Sequence, residues 1–189
     1  SLLENKEEMR EMKHLIRSFF ACALMLAGSV LAGSVASAHT MPDSEWGLLC
    51  DAVGGDGAGV IEFGVGMPLQ YAEDFLGSGF DEEEKAIESL RLVYYKYPEI
   101  TFCGEMQKSD KRPPGEAPIV FIECRSTDFR TPSGFRIGDA FEEVEAMYGR
   151  GEVSGSKHVY WFDEARNVSF TVDEAGLIKE IGVHQVIFG

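Results

Sequence analysis

The sequence predicts an α+β protein made of two tandem helix-plus-three-stranded antiparallel meander repeats, with the helices on one face of the sheet. Three observations carry this: a glycine-bracketed apolar segment that occurs twice, alternating strand-like runs after each copy, and short turn-forming breaks between those runs. The first copy spans Gly64 to Gly77 and the second Arg136 to Gly149. Val65, Gly66, Leu69, Ala72, Phe75, Leu76 and Gly77 align without a gap on Ile137, Gly138, Phe141, Val144, Met147, Tyr148 and Gly149. In each, a glycine opens a turn, apolar residues recur at i, i+3, i+6 and i+7 as one buried stripe, and a second glycine suits a left-handed C-cap. Each therefore reads as a helix of about three turns. Pro68 stands near the first helical position of one, and Asp139 with Glu142 reads as a capping box for the other.

Taken from the N-terminus, residues 1–11 precede Met12 and read as an upstream extension or expression remnant. Residues 12–38 read as a secretory signal. Lys13 and Arg17 form a basic start, an apolar stretch follows from Phe19 to about Gly33, and Ala36-Ser37-Ala38 supplies the small-residue site, so cleavage after Ala38 would leave His39 first. An uncleaved anchor is the competing reading, but the Gly-, Ser- and Ala-rich second half is weakly hydrophobic. Cys22 lacks the leucine three residues earlier that a bacterial lipobox carries. Residues 39–63 read as a loosely ordered leader, and Gly54 to Gly59 as a flexible link, since the Lys-Ser/Thr of a phosphate-binding loop is missing.

The repeat units occupy 64–126 and 134–189. After the first helix, strands are expected at Leu92 to Tyr97, Ile100 to Met106 and Ile119 to Cys124; after the second, at His158 to Asp163, Val168 to Asp173 and Leu177 to Gln185. Pro98, the Pro113-Pro114-Gly115 stretch and Asp173 to Gly176 provide the breaks. Asp81 to Leu90 reads as a short acidic helix or a loop.

The paired motif, apolar-Gly-x-x-φ-x-x-Val/Ala-x-x-φ-φ-Gly followed by strands containing Tyr or Trp, resembles the β-lactamase-inhibitor-protein-like superfamily. That group includes the SmpA/OmlA-type outer-membrane assembly lipoproteins and the tandem-repeat inhibitor proteins. The resemblance covers roughly Gly64 to Gln185 and implies a protein that presents a sheet surface to another protein in the bacterial envelope or outside the cell. It carries over no partner residues, and the lipid attachment typical of the assembly lipoproteins is missing at the expected mature N-terminus.

Composition narrows the function. Against 32 Asp and Glu stand 17 Lys and Arg, giving a net charge of −15. Lys6, Arg10, Lys13 and Arg17 cancel Glu4, Glu7, Glu8 and Glu11, so the excess lies after Ala38. Such a surface repels phosphate, which excludes a nucleic-acid partner, and no membrane insertion is expected after cleavage. Tyr94, Tyr95, Tyr97, Tyr160, Trp161 and Phe162 supply large rigid rings with polar handles, the residue types that dominate binding hot spots. The surface expected to bind another protein carries Tyr95, Tyr160, Trp161 and His184; packing of the same rings into the core is the competing reading. No catalytic residue, cofactor or metal is assigned. No Gly-x-Ser-x-Gly elbow accompanies His158 or His184, and no Cys-x-x-Cys spacing or calcium-loop pattern occurs. A copper brace at His39 and an Asn167 glycosylation site rank below this reading. The alternative is a small-ligand-binding protein or a hydrolytic enzyme using His158 or His184 with acidic residues. In an oxidising compartment three cysteines imply one bridge; Cys103 with Cys124, on successive strands, is preferred to Cys50 with either.

Overall fold

The computed structural model describes residues 45–52 and 59–185; the expected extension, signal and His39 lie outside them, as does Cys22. Strands β1 (Gly47–Ala52) and β2 (Gly59–Gly64) come first, then helix α1 (Leu69–Leu76). Four strands follow, β3 (Asp81–Ile87), β4 (Leu90–Lys96), β5 (Ile100–Gln107) and β6 (Ile119–Cys124), with a single 3-10 turn at Pro114–Glu116 before the last. The short β7 (Phe129–Arg130) leads to helix α2 (Phe141–Tyr148). The chain ends in β8 (Glu152–Ser154), β9 (Lys157–Trp161), β10 (Arg166–Val172) and β11 (Ile178–Gln185). All pairings are antiparallel. One sheet has the order β2-β1-β7 and the other β3-β4-β5-β6-β11-β10-β9-β8.

The expected pair of α+β helix-plus-three-strand repeats is therefore corrected. Eleven strands against two eight-residue helices make the described residues mostly β, and the strands divide between a three-stranded and an eight-stranded sheet. The acidic stretch from Asp81 is an edge strand rather than a helix or loop. Its register with β4 is complete, Glu83 is ion-paired with Lys96 and, at 3.2 Å, with Lys85, and charge is tolerated where a strand has only one neighbour. β8 is too short to leave a periodic signal. Much of the expected loose leader is the β1–β2 pair, whose Leu48 and Phe63 are fully buried opposite each other.

The helices are also shorter than expected, at about two turns each. Leu69 and Ala72, and Phe141, Val144 and Tyr148, are buried, but Phe75 and Met147 are 50% and 48% exposed. At 100° per residue, position i+6 lies about 120° from i and leaves the stripe. Asp139 is not the expected cap. Ala140 occupies the N-cap, and the Asp139 carboxylate accepts the Arg136 backbone N–H at 2.7 Å.

The two glycine-bracketed segments nonetheless make matching local bonds. Gly66 N–H donates to the Ile119 carbonyl and Gly138 N–H to that of Ile178, both at 2.7 Å; Leu69 and Phe141 N–H donate to Ala117 and Gly176, both at 3.0 Å. Gly77 and Gly149 end the helices with φ of 81° and 78°, a region closed to most side chains. Their carbonyls accept the hydroxyls of Tyr97 at 2.9 Å and Tyr160 at 3.0 Å.

Both helices and the smaller sheet bury their apolar sides against one face of the large sheet. Phe63 of β2 meets Tyr71 of α1, Phe102 of β5 and Phe129 of β7 at 5.7, 5.4 and 5.8 Å between ring centroids. Phe141 of α2 meets Phe170 of β10 at 6.1 Å. Each wholly buried Phe, Leu or Ile contributes about 1.5–3 kcal/mol, so this face dominates stability.

The register also separates the expected disulfide. Cys124 lies opposite Ile100, and Cys103 opposite Phe121. Cys124 joins the main core while Cys103 joins Leu92 and Val120 in a small cluster on the reverse face. A sheet's thickness stands between the two thiols, so Cys103–Cys124 is ruled out by placement; Cys50, Cys103 and Cys124 are all free thiols in the structure.

Candidate functional site

The face of the large sheet away from the helices is the candidate site. Strand pairing aligns Glu83, Tyr94, Cys103, Phe121, His184, Asn167 and Trp161 in one row across β3, β4, β5, β6, β11, β10 and β9. At about 4.8 Å between strands, Tyr94 to Trp161 spans roughly 24 Å. A parallel row runs through Lys96, Thr101, Glu123, Gly182, Ser169, Val159 and Glu152.

The row's middle is built around a missing side chain. A Cβ on Gly182 would lie 2.3 Å from His184 Nε2 and 2.6 Å from Ser169 Oγ, so the glycine leaves the space that the imidazole occupies. The His184 ring packs on Phe121 at 4.7 Å between centroids, and its Nε2 is 3.2 Å from Ser169 Oγ. Burial, reinforced by the Lys157 charge and opposed by Glu180, pushes the His184 pKa down to about 4. The ring is therefore neutral at neutral pH, with one nitrogen a donor and the other an acceptor.

Beside it lies a charged cluster. Arg125 donates through Nε and a terminal nitrogen to Glu180 at 3.0 and 2.7 Å, and Thr171 Oγ1 donates to the same carboxylate at 3.2 Å. Lys157 stands 3.8 Å from Glu180. Burial works against ionisation of Glu180, but the Arg125 hydrogen bond and both cations outweigh it and lower its pKa. Burial and the neighbouring Glu180 charge raise that of Glu123, so Glu123 is the first of the two to take a proton.

At the far end of the row, Lys85 and Lys96 sit 5.1 and 5.7 Å from the centre of the Tyr94 ring. Beside Tyr94, Cys103 donates from Sγ to the Gly104 carbonyl at 3.8 Å, and burial pushes its thiol up to about 12, well away from a reactive thiolate. Trp161 is 38% exposed at the opposite end, and its Nε1–H donates to Glu152 at 3.1 Å.

Of the four residues expected on a binding surface, Trp161 and His184 lie on this open face. Tyr95 and Tyr160 do not: they are 3% and 6% exposed within the main core. Tyr95 stacks on Phe80 at 3.9 Å, and Tyr160 is held by its bond to Gly149. Sequence reasoning named Tyr94 among the candidate rings without placing it on the surface, and missed Phe121; both are half-buried and share the row with Trp161. His158 packs on Phe141 at 4.1 Å on the helix side, so the two histidines of the hydrolytic alternative stand on opposite faces and do not converge. The Ser169–His184 contact lacks a strong base, because an imidazole with a pKa of about 4 draws little on a hydroxyl proton at pH 7. A cavity of about 260 Å³, lined by Leu76, Tyr97, Pro98, Ile100 and Phe129, belongs to the helix side of the sheet. Among the described residues no cluster of three or more His, Cys, Asp or Glu could hold a metal ion.

No family model matches the chain, and no curated protein matches it. Among solved structures, it is similar to a cysteine-rich secretory protein from Staphylococcus aureus subsp. aureus Mu50, at 10% identity and a TM-score of 0.45, over 64% of this chain and 44% of that one. It is also similar to an extracellular protein containing an SCP domain from Bacillus anthracis str. Ames, at 9% identity and a TM-score of 0.46, over 85% of this chain and 50% of that one. The chain spans about half the length of these neighbours or less. Their descriptions are of secreted and extracellular proteins, and no helix among the described residues is long and apolar enough to cross a membrane.

Proposed function

We propose that this is an exported, non-catalytic protein-binding module whose working surface is the open face of the eight-stranded sheet. The observation that carries the reading is the row of Tyr94, Phe121, His184 and Trp161, which crosses the sheet on the side that neither helix covers. Rings held by strand pairing lose little freedom when a partner covers them, and their polar edges can bond at the rim. The row spans roughly 24 Å, a breadth that suits a protein surface better than a small ligand. Its charges are largely self-paired, with Glu83 against Lys85 and Lys96, and Glu180 against Arg125 and Lys157. Recognition there rests on ring contact more than on net charge.

Export belongs to the same proposal, by way of the signal-like residues 12–38 and cleavage after Ala38. The resemblance of the paired glycine motifs to the β-lactamase-inhibitor-protein-like superfamily supports it, since proteins of that kind work by presenting a sheet surface to another protein.

The test is capture of a partner from bacterial envelope extract by the purified chain and by its Trp161→Ala variant, identified by mass spectrometry. The variant is expected to keep its melting temperature within about 2 °C and to retain about a tenth of the partner. Equal capture by both proteins would remove Trp161 from the binding surface.

A further inference from the structure

Three cysteines fall within the described residues, and the sheet sorts them into two groups. Cys103 is on the open face, in the small cluster with Leu92 and Val120. Cys50 and Cys124 are on the helix side. In β1 the core-facing positions alternate as Leu48 and Cys50, so Cys50 packs against the main cluster, opposite Ile61 in β2 and Phe129 in β7. Cys124 is the last residue of β6 and is wholly buried in that cluster, with its Sγ 3.6 Å from the Ser126 carbonyl. The chain then passes directly from Cys124 through a short connection to Phe129, the residue paired with Cys50.

We propose that Cys50 and Cys124 form the disulfide of the oxidised protein, tying the small sheet to the end of β6. The proposal rests on the export reading for its setting, because an oxidising compartment is where such a bond persists. The two thiols share an electrostatic neighbourhood: Asp128 raises both, and Cys50 itself contributes to the rise at Cys124. Cys50 is partly exposed, so it meets a disulfide oxidant such as oxidised glutathione first. Its thiolate attacks one glutathione sulfur and releases one glutathione thiol. The Cys124 thiolate then attacks the Cys50 sulfur of the mixed disulfide and releases the second. Two protein thiols thereby lose two protons and two electrons, and one glutathione disulfide becomes two thiols. Because burial raises both thiols, with desolvation the leading cause in each, closure should run faster at pH 9 than at pH 7.

The experiment uses the full chain carrying Cys22→Ser, oxidised with glutathione disulfide, alkylated in denaturant and mapped by mass spectrometry. The expected result is one linked peptide joining Cys50 to Cys124, with Cys103 alkylated. Oxidation should also raise the melting temperature by about 10 °C, a gain absent in the additional Cys50→Ser variant and kept in the additional Cys103→Ser variant. Alkylation of both Cys50 and Cys124 after oxidation, or a link to Cys103, would overturn the proposal. Mapping of the same chain recovered from cells separates it from the export reading: a bond that forms in vitro while both thiols stay free in the cell supports the bridge and contradicts export.

Discussion

Replacing Gly104 with valine is expected to destabilise the protein by about 3–4 kcal/mol and lower its melting temperature by about 10 °C. Gly104 lies in β5 beneath α1. A Cβ there would stand 2.7 Å from the Ala117 Cβ, 2.9 Å from Leu69 Cδ1 and 3.0 Å from Leu69 Cγ. Both neighbours are fully buried, so neither has solvent to move into. They are also held to each other, because Leu69 N–H donates to the Ala117 carbonyl at 3.0 Å, while Ile119 N–H donates to Met67 and Glu105 N–H to Pro118 at 2.7 and 3.1 Å. Making room for a branched side chain means lifting the helix and the connection together. Gly115 is the control. A Cβ there meets the Gln70 side-chain oxygen at 2.8 Å, the end of a flexible chain that can swing away, so Gly115→Ala should cost less than about 1 kcal/mol. Thermal melts of the two variants check both values; similar losses would mean that the helix does not press on β5 as described.

Acidification should weaken the fold through His184. The folded-state pKa is depressed to about 4, against 6.5 for a free imidazole. Above pH 6.5 neither state binds the proton and the full stability is present. Between pH 6.5 and 4 the unfolded chain takes a proton that the folded chain refuses, so stability falls with pH across that window and levels off below it. At about 1.36 kcal/mol per unit the gap corresponds to a loss of about 3 kcal/mol. Urea unfolding at pH 7.5, 5.5 and 4.0 reads the effect, with His184→Gln as the comparison. The variant should lose about 3 kcal/mol less over the window, leaving only what the carboxylates contribute. Parallel curves for the two proteins would show that the imidazole is not held neutral over Gly182.

Much of the strand content was legible. Ile100 to Gln107, Ile119 to Cys124 and Ile178 to Gln185 carry the β-branched and aromatic runs that announced them, and Gly77 and Gly149 end both helices where expected. The face of each ring was harder to read. Leu92-Val93-Tyr94-Tyr95 is apolar or aromatic on both sides of the strand, because the helix-side core and the smaller open-face cluster each take two of its residues. Alternation alone then gives a parity without a direction. Gly104 was the available signal: a glycine inside a strand marks a close approach, and its partner Val93 must point the same way, which sends Tyr94 outward and Tyr95 inward. Register breaks between Cys103 and Gly104 and between Thr171 and Val172 further hid which residues align. The acidic edge strand was illegible for another reason. Seven residues with little apolar character are held by pairing with β4, a contact that no local pattern records.

The open face itself is tested most directly by the affinity of the captured partner for two charge insertions on opposite sides of the large sheet, Phe121→Asp and Phe75→Asp, measured by titration calorimetry. Phe121 stands in the ring row beside His184, and Phe75 is exposed on α1. The account predicts that Phe121→Asp weakens binding at least about 100-fold while Phe75→Asp leaves it within about twofold. Loss of affinity in Phe75→Asp with Phe121→Asp unaffected would place the partner on the helices and contradict it.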